Sequence, residues 1–131
     1  MMPDTTIHSL RAALIWFVVG ITIGAMMMID IAIGLAGVSS DLLHTHIHVM
    51  LFGWLVQIIF AVAYWMLPRF GRERPRAGLA IAGIIGVNLA SLASLGFPWL
   101  HLHGVVWVLE AASFVLFAVH AWPRVKSFGK S

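Results

Sequence analysis

The chain has 131 residues, 61% of them hydrophobic and only 10% charged, with a formal net charge of +3 and no cysteine. That length suits one domain, and the composition is that of a membrane protein rather than a soluble one. Without cysteine there are no disulfides, iron-sulfur clusters, thiolate-ligated haem or covalently attached haem.

Four apolar segments, about 10–35, 42–67, 77–97 and 100–122, each reach the roughly 20 residues that a helix needs to cross a hydrocarbon core. Short connections between them predict an all-α, four-helix antiparallel transmembrane bundle occupying 1–131 as a single domain.

The first segment follows Arg11 and carries Trp16, the run Met26, Met27 and Met28, and Asp30. Its apolar stretch exceeds the roughly 7–15 residues of a signal-peptide core, so it is expected to be retained. Methionine runs most simply fill apolar space, with copper ligation as the chemical alternative. Asp30 is a carboxylate suited to orienting a ligating imidazole.

The second segment opens with His44, His46 and His48. At about 100° per residue His44 and His48 share a face, while His46 points nearly opposite, in line with Gly53, Gln57 and Tyr64. A polar row of this kind belongs inside the bundle or at a subunit interface, because polar groups directed at lipid are costly. Trp54 in this segment, and Trp107 in the last, lie deep enough to touch a cofactor, whereas Tyr64, Trp65, Trp99 and Trp122 sit where interfacial aromatics are expected.

Pro68, Arg69, Arg72, Arg74, Pro75 and Arg76 break and charge the second connection. The third segment is rich in small residues, Gly78, Ala82, Gly83, Gly86, Ala90, Ala93 and Ser94, which allow close helix approach, with Asn88 as an internal hydrogen-bond partner. Gly96, Phe97 and Pro98 turn the chain into the fourth segment, where His101 and His103 sit at the start. His103 and Glu110, seven residues apart, share a face. A carboxylate at mid-span is a functional candidate: a proton-relay group, a partner of Asn88 or an acceptor for an imidazole. His8 and His120 are expected at the surface.

Arg69, Arg72, Arg74 and Arg76 share one loop, and Arg124, Lys126 and Lys130 follow the last segment. By the positive-inside rule these lie in the cytoplasm, with both termini. The basic balance is then topology and anionic-lipid contact, and no nucleic-acid role is expected. The histidine runs fall together on the outer side. Neutral imidazole suits haem iron, copper and zinc, so His44, His46, His48, His101 and His103 are the candidate metal ligands.

The stretch His46-Ile-His48-Val-Met-Leu-Phe-Gly53-Trp54, followed by Ala63-Tyr64-Trp65-Met66-Leu67-Pro68-Arg69, resembles a pattern in short membrane proteins related to subunit I of haem-copper oxidases and nitric oxide reductases. Glu110 and the apolar run to Phe117 resemble the short relatives more weakly. The resemblance covers some 25 residues. It implies a non-covalent haem b in a bacterial inner membrane, with His48 as the axial ligand and His46 next; His44 is extra to the pattern. The large relatives take their remaining ligands from helices this chain does not possess, so complete oxidase or reductase activity is not expected of it alone.

A sixth iron ligand would come from His103 within the bundle or from a symmetric homodimer. Bis-histidine ligation favours electron transfer with a partner protein, and an open position allows nitric oxide or oxygen to bind. Cofactor contacts are thus expected from His48, His46, His103, Trp54 and Tyr64, with Glu110, Asp30, Gln57 and Asn88 behind them or in a proton relay. Two other readings compete: a copper- or zinc-binding membrane protein for transport, storage or cofactor delivery, and a structural or assembly subunit of a larger complex.

Overall fold

A computed structural model describes residues 1–34, 37, 39–69, 74–97 and 99–125. Arg72, Pro98, Lys126 and Lys130 lie outside the described residues. Within them the chain is all helical, with four helices long and apolar enough to cross a membrane: α1 (Asp4–Ile33), α2 (Ser39–Met66), α3 (Ala77–Ser94) and α4 (His103–Ala121). The last runs into a single 3-10 turn, Trp122–Arg124.

Hydropathy locates all four helices to within a few residues except at the start of α1, which begins six residues before the apolar stretch. Pro3 and Asp4 explain the extension: Pro3 stands just before the first turn without an N–H to satisfy, and Asp4 places a negative charge at the positive end of the helix dipole. At its other end α1 stops where Gly34 adopts a left-handed φ of 61° and its N–H returns to the Asp30 carbonyl. The Asp30 side chain continues the turn, one carboxylate oxygen accepting the Gly37 N–H and the other the Ser39 N–H, both at 3.1 Å. Asp30 thereby serves one of the unpaired N–H groups that begin α2.

Helix α2 is continuous, but its middle, Val49–Val56, is wound as a π-helix. Stretches with i→i+5 bonds are uncommon and usually short, and each turn is wider than an α turn. Gly53 sits inside this stretch and is buried between two neighbours: a methyl group built on it would stand 2.8 Å from Ser91 Oγ of α3 and 2.9 Å from Trp16 Cγ of α1. Side chains of α1 and α3 therefore close in on α2 where it is wound most loosely. Gly53→Val is expected to cost about 1–3 kcal/mol through overpacking, read as a lowered unfolding midpoint in detergent followed by tryptophan emission.

Helix α1 packs along α2, with Thr6 donating to the Ala61 carbonyl at 3.3 Å near one end and Gly24 lying against the His46 ring near the other. Helices α3 and α4 also pack closely. At Gly83 and Gly86 the α3 backbone meets Ser113 of α4, and Ala90 is fully buried, whereas Gly78 borders open space and Ala82 is exposed. Gly83 and Gly86 thus act toward α4, while Ser91 and Ser94 face α2, where Ser91 lies against Gly53 and the Ser94 carbonyl accepts from Thr45 at 2.9 Å.

The core lies between α2, α3 and α4. Val56, Phe60, Tyr64, Ala80, Ile84, Val87 and Phe117 form its main cluster, with the Phe60 and Phe117 rings stacked at 4.0 Å. Leu14, Val18, Ile29, Leu55, Leu92, Val108 and Val115 are all exposed and aliphatic, a surface suited to lipid chains. In α1 only 11% of the most apolar window is buried, so this helix gives most of its surface to the surroundings.

Candidate functional site

His48 is the one member of the two histidine runs that the fold encloses, at 4% exposure. It follows directly from the helical period: α2 has α1 on one side and α3 with α4 on the other, so residues two apart face different neighbours. His46 turns to α1, its Nδ1 2.9 Å from the Gly20 carbonyl oxygen. His48 turns to α4, where its Nδ1 stands 2.6 Å from Glu110 Oε1.

Glu110 is as deeply placed, at 2% exposure, and its other oxygen, Oε2, is buried without a protein partner. A carboxylate in an apolar span is tolerated where it has a strong hydrogen-bond partner, and His48 supplies one. Three rings close around the imidazole: Phe52 stacked at 5.7 Å, Phe97 edge-on at 5.1 Å and Trp107 edge-on at 5.3 Å. Trp107 is 60% exposed, so the outermost of the three rings is not itself packed in the core.

The other histidines are spread around this centre. His44 and His103, both exposed, meet edge to face with ring centroids 5.8 Å apart, and His103 also stacks on Phe97 at 4.3 Å. Phe97 is thus shared by His48 and His103. His101 is exposed. Among the described residues no group of three or more His, Cys, Asp or Glu side chains is placed to hold one metal ion. The expected five-histidine neighbourhood resolves into one buried His48–Glu110 pair, one exposed His44–His103 pair, His46 bound to α1, and exposed His101.

No protein-family model, no curated protein and no solved structure matches this chain.

Other expected positions have definite places. Trp54 is half-buried and tilts against Phe17 at 4.6 Å, on the α1 side of α2 and away from Glu110. Asn88 accepts the Trp16 indole N–H at 2.9 Å and donates to the Ile84 carbonyl, so its bond runs from α3 to α1 and not to Glu110. Gln57 is fully buried and donates to the Ser9 carbonyl. Met26 and Met28 are exposed on α1.

Tyr64 belongs to the opposite end of the molecule. There Arg124 is fully buried, its guanidinium donating to the carbonyls of Tyr64 at 3.2 Å, Leu67 and Pro68 at 3.0 Å. His120, expected at the surface, is likewise at 0% exposure, joining Arg124 at 2.6 Å and the Arg76 carbonyl at 3.1 Å. Its burial has a simple cause. The last turn of α2 ends in carbonyls with no helical partner, and Arg124 brings a five-donor fork to them while His120 fills the space behind it.

Phe97 was legible only as a turn residue, yet it seals both histidine pairs. Its signal was composition: a large aromatic ring between Gly96 and Pro98 has no role in the turn and must pack elsewhere.

Proposed function

We propose that this chain is a b-type haem-binding protein of a bacterial inner membrane, with His48 as axial ligand, acting in electron transfer or in binding of nitric oxide or oxygen. The observation that carries the reading is the buried 2.6 Å bond from His48 Nδ1 to Glu110. Metal-bound imidazoles commonly give their second nitrogen to a carboxylate, which fixes the tautomer and strengthens the ligand. With Nδ1 so engaged, Nε2 is the donor left for iron, and the surrounding Phe52, Phe97 and Trp107 rings are the apolar, aromatic company a flat macrocycle takes.

The residues present therefore fit a haem. When bound, it would supply one-electron chemistry, or a gas site if its sixth position stays open. The chain's own part is to hold the imidazole in one tautomer, exclude water with three rings, and keep a proton between His48 and Glu110. The resemblance of the stretch from His46 to Arg69 to the haem-copper oxidase core supports the same assignment. The positive-inside rule supports both termini, Arg69, Arg74 and Arg76 on the cytoplasmic side of an antiparallel bundle, and the histidine end outside. A homodimer that brings a second imidazole to the iron is compatible with the exposed His44–His103 pair.

The test is a visible spectrum of the purified protein after haem supply. A Soret band with sharp reduced α and β bands is expected, abolished by His48→Ala. Glu110→Gln is expected to weaken haem retention by about 10–100-fold. Protein that takes up no haem overturns the reading. Stoichiometric copper or zinc in a colourless protein, lost on changing His44 or His103, would instead favour the second reading, which the 5.8 Å approach of those two rings supports.

A further inference from the structure

Arg76 stands where local physics disfavours arginine. Among the described residues it alone combines a β-carbon with a positive φ, 56°, a left-handed conformation that suits glycine or asparagine. It is also the N-cap of α3, yet its side chain makes no capping bond, and its charge adds to the positive end of the helix dipole. The backbone is held in this turn through its carbonyl, which accepts the Leu79 N–H at 3.0 Å and lies 3.1 Å from His120 Nδ1. A residue kept against every local preference points to a task for its side chain.

That side chain crosses to the last turns of α4, where Nη1 donates to the Val119 carbonyl at 3.4 Å. Arg76, Ala118, Val119 and Trp122 together line a groove of about 270 Å³. All four are exposed, Trp122 at 83%, so the guanidinium and the apolar wall are both open to whatever surrounds the protein. No Asp or Glu lines the groove, and among the described residues the Arg76 guanidinium has no carboxylate partner. His120 joins the Arg76 carbonyl to Arg124, on which Arg69 and Arg74 act as like charges. The groove therefore lies in a positive field.

We infer that this groove is a binding site for one anionic phospholipid, its phosphate on Arg76 and an acyl chain along Ala118, Val119 and the Trp122 ring. Charge complementarity selects the occupant. A phosphate accepts from the free N–H groups of the guanidinium fork and relieves the positive charge gathered at this end. A zwitterionic head brings a cation of its own back into that field, and a small free anion leaves the apolar wall uncovered. Val115, one turn earlier on α4 and 62% exposed, continues the wall for the rest of the chain. The inference makes no use of the haem, so either can fail without the other.

The test uses the full chain in phosphatidylcholine nanodiscs containing a minor fraction of lipid brominated on its acyl chains. Trp122 emission, taken as the difference between the chain and its Trp122→Phe variant, reports contact with the bromines. Half-quenching is expected at an about fivefold lower fraction of brominated phosphatidylglycerol than of brominated phosphatidylcholine, the preference one basic side chain gives at a lipid surface. Arg76→Gly removes the charge and suits the left-handed turn, so it is expected to abolish the preference while the unfolding midpoint stays level or rises. Where Arg76→Gly lowers the midpoint, Arg76→Asn takes its place, with the same loss of preference expected. Arg69→Gln removes an exposed charge outside the groove and is expected to leave the preference nearly unchanged. Equal half-quenching by the two lipids, or a preference that survives loss of Arg76, overturns the site. Equal losses in the Arg69 and Arg76 variants would spread the attraction over the whole basic end and overturn it as well. Displacement of the lipid by inorganic phosphate alone would show that the apolar wall adds nothing, and would overturn the phospholipid as occupant.

Discussion

Glu110→Leu is expected to destabilise the helical assembly by on the order of 3 kcal/mol, within the range for removing one partner of a buried, strongly hydrogen-bonded pair. His48 would then keep an Nδ1 at 4% exposure with Phe52, Phe97 and Trp107 around it and no acceptor from α4. The asymmetry of such pairs makes a sharper experiment. His48→Phe combined with Glu110→Leu removes both polar groups and refills the space with carbon, so the double variant is expected to recover most of what the single change loses. Glu110→Gln retains an amide oxygen able to accept from Nδ1–H and is expected to lose less than Glu110→Leu. Unfolding midpoints in mixed micelles, followed by tryptophan emission, read all three. A double variant as unstable as Glu110→Leu would show that the loss does not come from leaving the His48 imidazole without its acceptor. The same pair ties stability to function: the bond that holds α2 to α4 also orients the proposed iron ligand.

The parts of this architecture that depend on local sequence were legible before the structure, and those that depend on which helix lies beside which were not. Span length and polarity locate α1 to α4, and a 100° period separates His46 from His48, now seen on Gly20 of α1 and Glu110 of α4. The partner of Glu110 was not legible, because His48 is 62 residues away and helix adjacency decides it. Glu110 shares a face with His103 along α4, yet His103 stacks on Phe97 and meets His44 while Glu110 reaches across to α2. Asn88 was recognisable as an internal hydrogen-bond partner, but Trp16, the residue it serves, carries no signal beyond an indole N–H at depth. The π-wound stretch Val49–Val56 was invisible to any argument that assumes a constant turn. The burial of Arg124 was not legible either: charge places arginines near a helix end, where Arg69 is exposed, but does not say that backbone carbonyls take up the Arg124 guanidinium.

Arg124→Met is expected to lower stability by about 3 kcal/mol, because it takes this donor from the Leu67 and Pro68 carbonyls, leaves Tyr64 only the Arg74 Nε–H at 3.3 Å, and strips fully buried His120 of its side-chain partner. The Tyr64, Leu67 and Pro68 carbonyls end α2 and its exit, and each receives an N–H of this one side chain. Proline at position 68 has no N–H of its own to continue the ladder, so the chain cannot close the end of α2 by itself. His120 would lose its partner at the same time and remain buried with only the Arg76 carbonyl. Arg124→Lys tests geometry against charge. An ammonium keeps the positive charge but presents a single nitrogen, whereas the guanidinium spreads Nε, Nη1 and Nη2 over three carbonyls and an imidazole. Lysine is therefore expected to recover less than half of the loss. Hydrogen exchange localises the effect: faster exchange at residues 61–67, with residues 44–48 unchanged, is the expected pattern. Full recovery by lysine would reduce Arg124 to a charge at the helix C-terminus, and the fork that closes α2 would have no energetic weight.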